Sequence, residues 1–313
     1  MSINKIIVVG SCNTDMTIMT SRLPIPGETV LGGSFKMFSG GKGANQAVAA
    51  ARLGGKVTLI AKLGSDLFGK QLREQYEKEN IDIQYTFLDE ELPSGVALIT
   101  VDQKGENCIA VAAGANEALF PKDIDKAINA FDDAELLLLQ LEIPIKTVDY
   151  VAKMAYKKGI KVILNPAPAA SLSDELLKSL YAIIPNRIEA EILSGIKITD
   201  RKSTQIASNI IAEKGVDKVI ITLGDRGAFV KDGTNYYEIP AFVVQPIDTT
   251  AAGDTFCGAL CVALSEKRSI REAVEIANKA ASITVSREGA QSSIPYRDEV
   301  IPAIKQNDIL NLK

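Results

Sequence analysis

The chain has 313 residues, of which 46% are hydrophobic and 24% charged, with a formal net charge of −4. That length buries a large core in one main domain plus an elaboration, the slight acidity gives no reason to expect nucleic acid or an anionic membrane as partner, and no apolar run approaches the ~20 residues of a membrane span. Histidine is absent altogether, so Ser-His-Asp and His-ligated metal chemistries are excluded and any proton transfer must use a carboxylate, Lys, Tyr or Cys.

Residues 5–9 predict a buried first strand, too short and too early for the apolar part of a signal peptide, and the expected location is the cytoplasm. The strand ends at Gly10-Ser11-Cys12-Asn13-Thr14-Asp15. Polar groups just past a strand's carboxyl end are where α/β folds bind ligands, so Asn13 and Asp15 could grip ligand hydroxyls; a plain Asn/Asp turn is the competing reading. Residues 16–39 and 84–112 hold short, loosely alternating stretches broken by Pro24-Ile25-Pro26-Gly27, Leu92-Pro93-Ser94-Gly95 and Gln103-Lys104-Gly105-Glu106. They predict a small helix-free sheet outside the main one. One face of it should cover the active site, while the other face or an edge can pair with a second subunit.

Between these regions Ser39-Gly40-Gly41-Lys42-Gly43-Ala44-Asn45-Gln46 leads into an alanine-rich helix through 47–53. Consecutive glycines at a helix start admit tight backbone approach to a ligand, and Lys42 and Asn45 supply donors. The spacing is not that of a Walker loop. The nearer match, Gly64-Ser65-Asp66-Leu67-Phe68-Gly69-Lys70, is rejected because Gln71 replaces the Ser/Thr that binds Mg2+ and Asp66 would face phosphate.

From residue 56 strands and helices alternate: strands at 57–62, 135–139, 161–164, 182–185 and 218–223, helices at 68–79, 144–158 and 270–286. Repeated βα units predict a doubly wound, mainly parallel sheet flanked by helices. Polar residues follow the strands: Glu142, then Asn186-Arg187-Ile188-Glu189, then Thr222-Leu223-Gly224-Asp225-Arg226-Gly227, whose glycines admit a nucleotide. The four cysteines, Cys12, Cys108, Cys257 and Cys261, form no Cys-x-x-Cys pair and read as packed thiols rather than a zinc site.

The stretch Asp248-Thr249-Thr250-Ala251-Ala252-Gly253-Asp254 organises the rest. Phe256, Leu260, Ala263 and Leu264 recur at spacings of three and four, which places the small-residue turn at a helix N-terminus, where unpaired N–H groups favour an anion. A carboxylate repels phosphate, so Asp254 makes sense there as a base for a hydroxyl attacking that phosphate; unperturbed, with a pKa of about 3.9, it is ionised at neutral pH. An ordinary turn capped by Asp248, Thr249 or Thr250 is the competing reading.

Taken together, the 40–46, 186–189 and 248–254 motifs resemble the ribokinase family of sugar kinases, and Pro26-Gly27-Glu28-Thr29, Leu139-Gln140-Leu141-Glu142 and the 10–15 and 287–291 segments extend the resemblance over nearly the whole chain. It implies ATP-dependent phosphorylation of the 5-hydroxyl of a pentose, ribose first, with 2-deoxyribose, another sugar or a nucleoside as alternatives. Asn13, Thr14, Asp15, Gly41, Lys42, Gly43, Ala44, Asn45 and Glu142 would hold the sugar. Asp254 would be the base, and the amides of Ala251, Ala252 and Gly253 the anion hole. Asn186, Asn278 and the loop Thr222, Leu223, Gly224, Asp225, Arg226 and Gly227 would contact ATP, with Glu189 orienting Mg2+ through water. A K+ ion would bind Asp248, Thr250, Thr284, Arg287, Gly289 and Ser293, largely through backbone oxygens. The core would comprise 1–15, 40–83 and 113–313, and 16–39 with 84–112 a lid that also makes a homodimer.

One departure stands out. The wider family often has Gly-Ala-Gly-Asp where this chain has Ala251-Ala252-Gly253-Asp254. If the first position needs φ > 0, alanine costs roughly 1–2 kcal/mol there; it reads as the mark of one branch of the family. A catalytically silent sugar-binding protein is the rival from another class. A nicotinamide enzyme is rejected, because Gly10-Ser11-Cys12 begins nothing like G-x-G-x-x-G.

Overall fold

The computed structural model describes residues 5–301; residues 1–4 and 302–313, assigned above to the core, lie outside the described residues. The chain runs β1 (Lys5–Val9), β2 (Asn13–Met19), β3 (Phe35–Gly40), β4 (Lys56–Gly64), β5 (Thr86–Asp89), β6 (Gly95–Val101) and β7 (Asn107–Ala112). Its second half adds β8 (Ala134–Leu139), β9 (Lys161–Leu164), β10 (Ala182–Ile183), β11 (Lys218–Thr222), β12 (Ala228–Asp232) and β13 (Asn235–Ile239). A nine-stranded sheet has the order β13-β12-β11-β10-β9-β8-β1-β4-β5, and a four-stranded sheet the order β3-β2-β6-β7.

Alternation in the central strands decides the layers. Ile6 and Val8 of β1, with Leu136 and Leu138 of β8, join the apolar cluster under the helices Lys42–Arg52, Ala252–Ser265 and Ile270–Val285. Ile7, Val9, Leu137 and Leu139 point the other way, toward the helices Ile145–Lys157 and Arg201–Glu213. Because both faces are covered, these strands are apolar at every position. The doubly wound, mainly parallel architecture expected from the βα repeats is the one observed, with the small sheet beside it.

The order of the strands locates the functional crevice. From β1 the chain moves outward to β4 and β5, then returns to β8 on the other side of β1, all in parallel. Strand order reverses between β1 and β8, and ligands of such sheets bind beyond the carboxyl ends at that point. There the segment after β1 meets the segment after β8: the Ser11 hydroxyl donates to Glu142 Oε2 at 2.6 Å.

Two boundaries differ from expectation. Asn13 and Asp15, assigned to the core, already belong to β2 of the small sheet, paired with Gly40 and Phe38 of β3. Residues 86–89, assigned to the lid, form β5 at the edge of the main sheet, in register from Ala61↔Thr86 to Gly64↔Asp89. The reason is the helix Leu67–Lys78 between β4 and β5: a crossover helix returns the chain parallel to the strand it left. Asp66 is that helix's N-cap, accepting from Gly69 N and Ser94 N at 2.8 Å, which confirms that 64–70 is no phosphate loop. The β12–β13 hairpin is missing from the expected strands, although Asp232-Gly233, with Gly233 at φ 58, is a hairpin signal. Among the described residues no helix is long and apolar enough to cross a membrane.

Candidate active site

The carboxyl ends of the central strands, one face of the small sheet and the start of the helix Ala252–Ser265 enclose a cavity of about 1010 Å3. Ala251 caps that helix with φ 60 and ψ 7, so the position does take the left-handed conformation that alanine resists. The strain is present and the turn keeps its shape. Of the three amides expected to form an anion hole, that of Ala252 turns back to the Thr249 carbonyl at 3.3 Å, the long end of the range, while those of Ala251 and Gly253 find no acceptor among the described residues. A Cβ built on Gly253 meets nothing within 4 Å and would stand in open cavity.

Asp254, one residue further, is only 7% exposed. Its two oxygens are held separately: Asn45 Nδ2 donates to Oδ2 at 3.0 Å and Gln46 Nε2 to Oδ1 at 2.9 Å. Burial raises its pKa, opposed by the Lys42 charge and by these two amides, so the unperturbed carboxylate of the sequence expectation is replaced by one whose ionisation depends on its neighbours. Burial would lower the Lys42 ammonium, but Asp254, Glu142 and Glu189 outweigh it and hold Lys42 above its ordinary value. Asp15 is pushed up to about 6 by burial, then by the charges of Glu142 and Asp254.

Of the residues expected to hold a sugar, Asn13, Asp15, Gly41, Lys42, Asn45 and Glu142 line the cavity, whereas Thr14, Gly43 and Ala44 do not. Thr14 alternates to the opposite side of β2 from Asn13 and Asp15, and Ala44 lies in the core. Gly43 corrects the reading of the glycine cluster: its missing Cβ makes room for the protein's own chain, since a Cβ there would lie 2.6 Å from Gly10 C and Ser11 N. Glu142 Oε2 accepts from Lys42 N at 3.0 Å, which fixes the helix start against β8.

The sequence reading assigned no role to the amide residues behind these groups. Asn116 donates to Asn13 Oδ1 at 2.8 Å while its own Oδ1 accepts from Cys12 N at 2.8 Å; Asn13 therefore turns with its Nδ2 left for a ligand. Gln46, Asn165 and Gln140 form a second buried group under Asp254. Uncharged amides carry no charge pattern or periodicity, so only Gln46, inside the glycine motif, and Gln140, inside the Leu139-Gln140-Leu141-Glu142 segment, had any signal.

Of the residues expected to contact a nucleotide and its metal, Asn186 and Glu189 make a capping box at the helix Arg187–Ser194: Asn186 N and Nδ2 each donate to Glu189 at 2.8 Å, and Glu189 N returns to Asn186 Oδ1 at 2.9 Å. Both residues line the cavity, as does Thr222, which bridges to Asn186. Burial raises Glu189. Leu223, Gly224, Asp225, Arg226, Gly227 and Asn278 are not among the cavity's walls. Asn278 instead donates to the carbonyls of Ile239 and Pro240 at 3.1 Å, pinning the end of β13.

Around the expected cation site, Asp248 ties three pieces together. Its Oδ1 accepts from Thr250 N at 2.9 Å and Thr250 Oγ1 at 2.6 Å, its Oδ2 from Gly289 N at 2.9 Å. Burial would raise Asp248, but these donors outweigh it and hold it below the usual carboxylate range. The Thr284 carbonyl accepts from Arg287 N at 3.1 Å, Ser293 Oγ donates to the Ala290 carbonyl at 2.6 Å, and the Arg287 guanidinium pairs with Glu299. Among the described residues no cluster of three or more His, Cys, Asp or Glu side chains could hold a metal, and all four cysteines are free.

A family model described as pfkB family carbohydrate kinase matches residues 3–297. The chain belongs to the pfkB family of carbohydrate kinases. It is a carbohydrate kinase, and the resemblance to the ribokinase family holds. It is 44% identical to a ribokinase of Haemophilus influenzae over 94% of this chain and 96% of that one. A deoxyribokinase of Salmonella typhi is 36% identical over 97% of this chain and 99% of its own. Among solved structures, Arabidopsis thaliana ribokinase complexed with ribose and ATP superposes with a TM-score of 0.92 at 32% identity, covering 97% of this chain and 99% of that one.

Proposed function

We propose that this carbohydrate kinase transfers the γ-phosphoryl group of ATP to the 5-hydroxyl of D-ribose, giving ribose 5-phosphate and ADP. The observation that carries the reading is the adjacency of the doubly held Asp254 carboxylate and the unengaged Gly253 amide on one wall of the cavity. The sugar hydroxyl gives its proton to Asp254 as the new O–P bond forms, and the phosphoryl charge rests on main-chain N–H groups. Such a transfer needs positioning and charge stabilisation above all. Asn13, Asp15 and Glu142 supply donors and acceptors for the remaining hydroxyls. The ribose- and ATP-bound Arabidopsis relative supports both substrates.

Asn186 and Thr222 on the cavity wall support the ATP site at this end, with 223–227 and Asn278 as its further proposed members. Glu189, a carboxylate on the cavity wall, fits a water-bridged Mg2+, which when bound neutralises phosphate charge. The hydrogen bonds that tie Asp248 to Thr250 and Gly289, and Thr284 to Arg287, support a K+ site among Asp248, Thr250, Thr284, Arg287, Gly289 and Ser293, where the ion would steady the anion-hole turn. The small sheet is read as a lid that excludes water from the phosphoryl group. Lys36 of β3 pairs with Glu288, which supports closure on the cation loop. Its other face leaves Ile18, Met37 and Leu98 at 39, 43 and 56% exposed, which supports a homodimer through the lid. The ATP requirement supports a cytoplasmic location.

The deoxyribokinase relative makes 2-deoxyribose the second reading. A coupled ADP-release assay over ribose, 2-deoxyribose and adenosine, with and without K+, separates the two; ribose no better than the rest sinks the substrate assignment. Asp254→Asn should lower turnover by about 10²–10⁴ while ribose binding persists. An intact wild-type protein that binds ribose yet releases no ADP would be a silent binder instead.

A further inference from the structure

Each oxygen of Asp254 is served by the end of a separate file of side-chain amides. On one side Gln75 Nε2 donates to Gln291 Oε1 at 2.8 Å, Gln291 Nε2 to Asn45 Oδ1 at 3.1 Å, and Asn45 Nδ2 to Asp254 Oδ2 at 3.0 Å. The far end is the Ser39 hydroxyl in β3, which donates to Gln75 Oε1. On the other side Gln140 Nε2 donates to Gln46 Oε1, and Gln46 Nε2 to Asp254 Oδ1 at 2.9 Å.

The two files differ in what fixes their direction. An amide presents a donor at one end and an acceptor at the other, so one reversed member reverses the next. The Gln46 file is locked: Asn165 Nδ2 donates to the Ile184 carbonyl at 2.9 Å, its Oδ1 therefore needs a donor, and Gln46 Nε2 supplies it at 3.2 Å. The Asn45 file has no such backbone lock within the chain of contacts. Its outer end is a hydroxyl, which can donate or accept. Only the acceptor carboxylate of Asp254 fixes its direction from the inner end, and Gln291 and Gln75 support that direction between the base and the lid strand. Gln291 itself is rigidly placed: it is 2% exposed, and Arg52 Nη1 donates to its carbonyl at 2.7 Å.

We infer that Gln291 is a positioning residue of the phosphoryl transfer, acting through Asn45 to keep an N–H directed at Asp254, with Gln75 supporting that direction from the outer end. The inference rests on the reading of Asp254 as base. The other groups facing that carboxylate are Lys42 from the helix Lys42–Arg52, Glu142 after β8, Asp15 of β2, Glu189 of the helix Arg187–Ser194, and Cys257 one turn along its own helix. None lies in the file, so substituting Gln75 or Gln291 leaves those charges in place, and the only charge added is that of the introduced glutamate, which lies one side chain further from Asp254 at position 75 than at position 291.

The test uses reversal rather than deletion. In Gln291→Glu the side chain still accepts from Gln75 but can only accept from Asn45, which must turn its oxygen toward Asp254. In Gln75→Glu, which touches neither Asn45 nor Asp254, Gln291 must turn first and Asn45 follows. Both variants should lower kcat about tenfold or more with the sugar KM within about threefold of wild type, and move the acid limb of kcat up by roughly one pH unit, the size of a lost hydrogen bond to the charged form. Gln75→Leu removes the outer contact without reversing it and should restore most of the turnover lost in Gln75→Glu. Independently of turnover, the Asp254 carboxyl carbon, assigned in 13C-aspartate-labelled protein by its absence from Asp254→Asn, should titrate about one unit higher in Gln291→Glu and Gln75→Glu than in wild type. An unchanged titration in both folded variants overturns the inference even if wild type phosphorylates ribose. A shifted titration in a protein without kinase activity upholds the relay and removes the functional reading instead.

Discussion

Gly253→Ala separates stability from chemistry at one atom. Gly253 is the second residue of the helix Ala252–Ser265, and a Cβ there meets nothing within 4 Å. Folding therefore meets no clash, and alanine in a helix is favoured over glycine by roughly 0.5–1 kcal/mol, so the melting temperature should hold or rise slightly. The same methyl, however, stands in the space through which a phosphoryl group must reach the Gly253 amide. Displacing it by on the order of 1 Å costs about 10²-fold in rate, and losing one oxyanion donor outright costs about 10²–10³-fold. The expected result is a 10²–10³-fold drop in kcat in the ADP-release assay, with the ribose dissociation constant unchanged, because the residues proposed to hold the sugar, Asn13, Asp15 and Glu142, are other parts of the cavity wall. Turnover within threefold of wild type would show that the phosphoryl group does not rest on this turn.

Asp15 links function to pH-dependent stability. Its folded pKa, about 6, lies above the ordinary value of about 4, so its contribution is fully present below pH ~4 and is lost as pH rises through about 6. That displacement is worth up to about 3 kcal/mol at pH 7. Asp15→Asn should thus raise the urea midpoint at pH 7 but not at pH 4, while abolishing ribose binding; an equal midpoint change at both pH values would contradict the assignment. At Ala251, φ 60 means that Ala251→Gly relieves roughly 1 kcal/mol of strain but loosens the unfolded chain by a similar amount, leaving the melting temperature nearly unchanged. Ala251→Val should lower it by several degrees, since a β-branched residue is a true outlier there. Asn116→Ala frees the Asn13 amide and leaves Cys12 N without its acceptor. The ribose KM should rise about tenfold or more with kcat little changed, and urea denaturation should show a loss of about 1–3 kcal/mol; an unaltered KM would mean that Asn13 is held some other way.

Much of the architecture follows from local pattern. The apolar runs at 6–9 and 136–139, the helix spacing from Phe256 to Leu264 and the polar residues after the strands each reflect a rule that acts within a few residues. They predict a covered parallel sheet, a helix N-terminus built for an anion, and a base beside it in a chain without histidine. Asn13, Asp15, Lys42, Asn45, Glu142 and Asp254 do converge on one cavity. What remained hidden depends on partners distant in sequence. Strand β5 looks like its lid neighbours until its pairing with β4 is seen, and the loop 223–227 reads as part of the cavity wall until the cavity is seen to end at Thr222.

Chain order and side-chain type thus determined the fold class, the crevice and the position of the carboxylate proposed as base, because periodicity, glycine placement and the absence of imidazole are properties of the chain itself. The tertiary structure alone decided the φ of Ala251, the raised pKa of Asp15 and the amide files that aim two N–H groups at Asp254. Desolvation and hydrogen-bond direction are set by what surrounds a group in space, and residues as far apart as Gln46, Asn165 and Gln291 meet only once the sheet and its helices have packed.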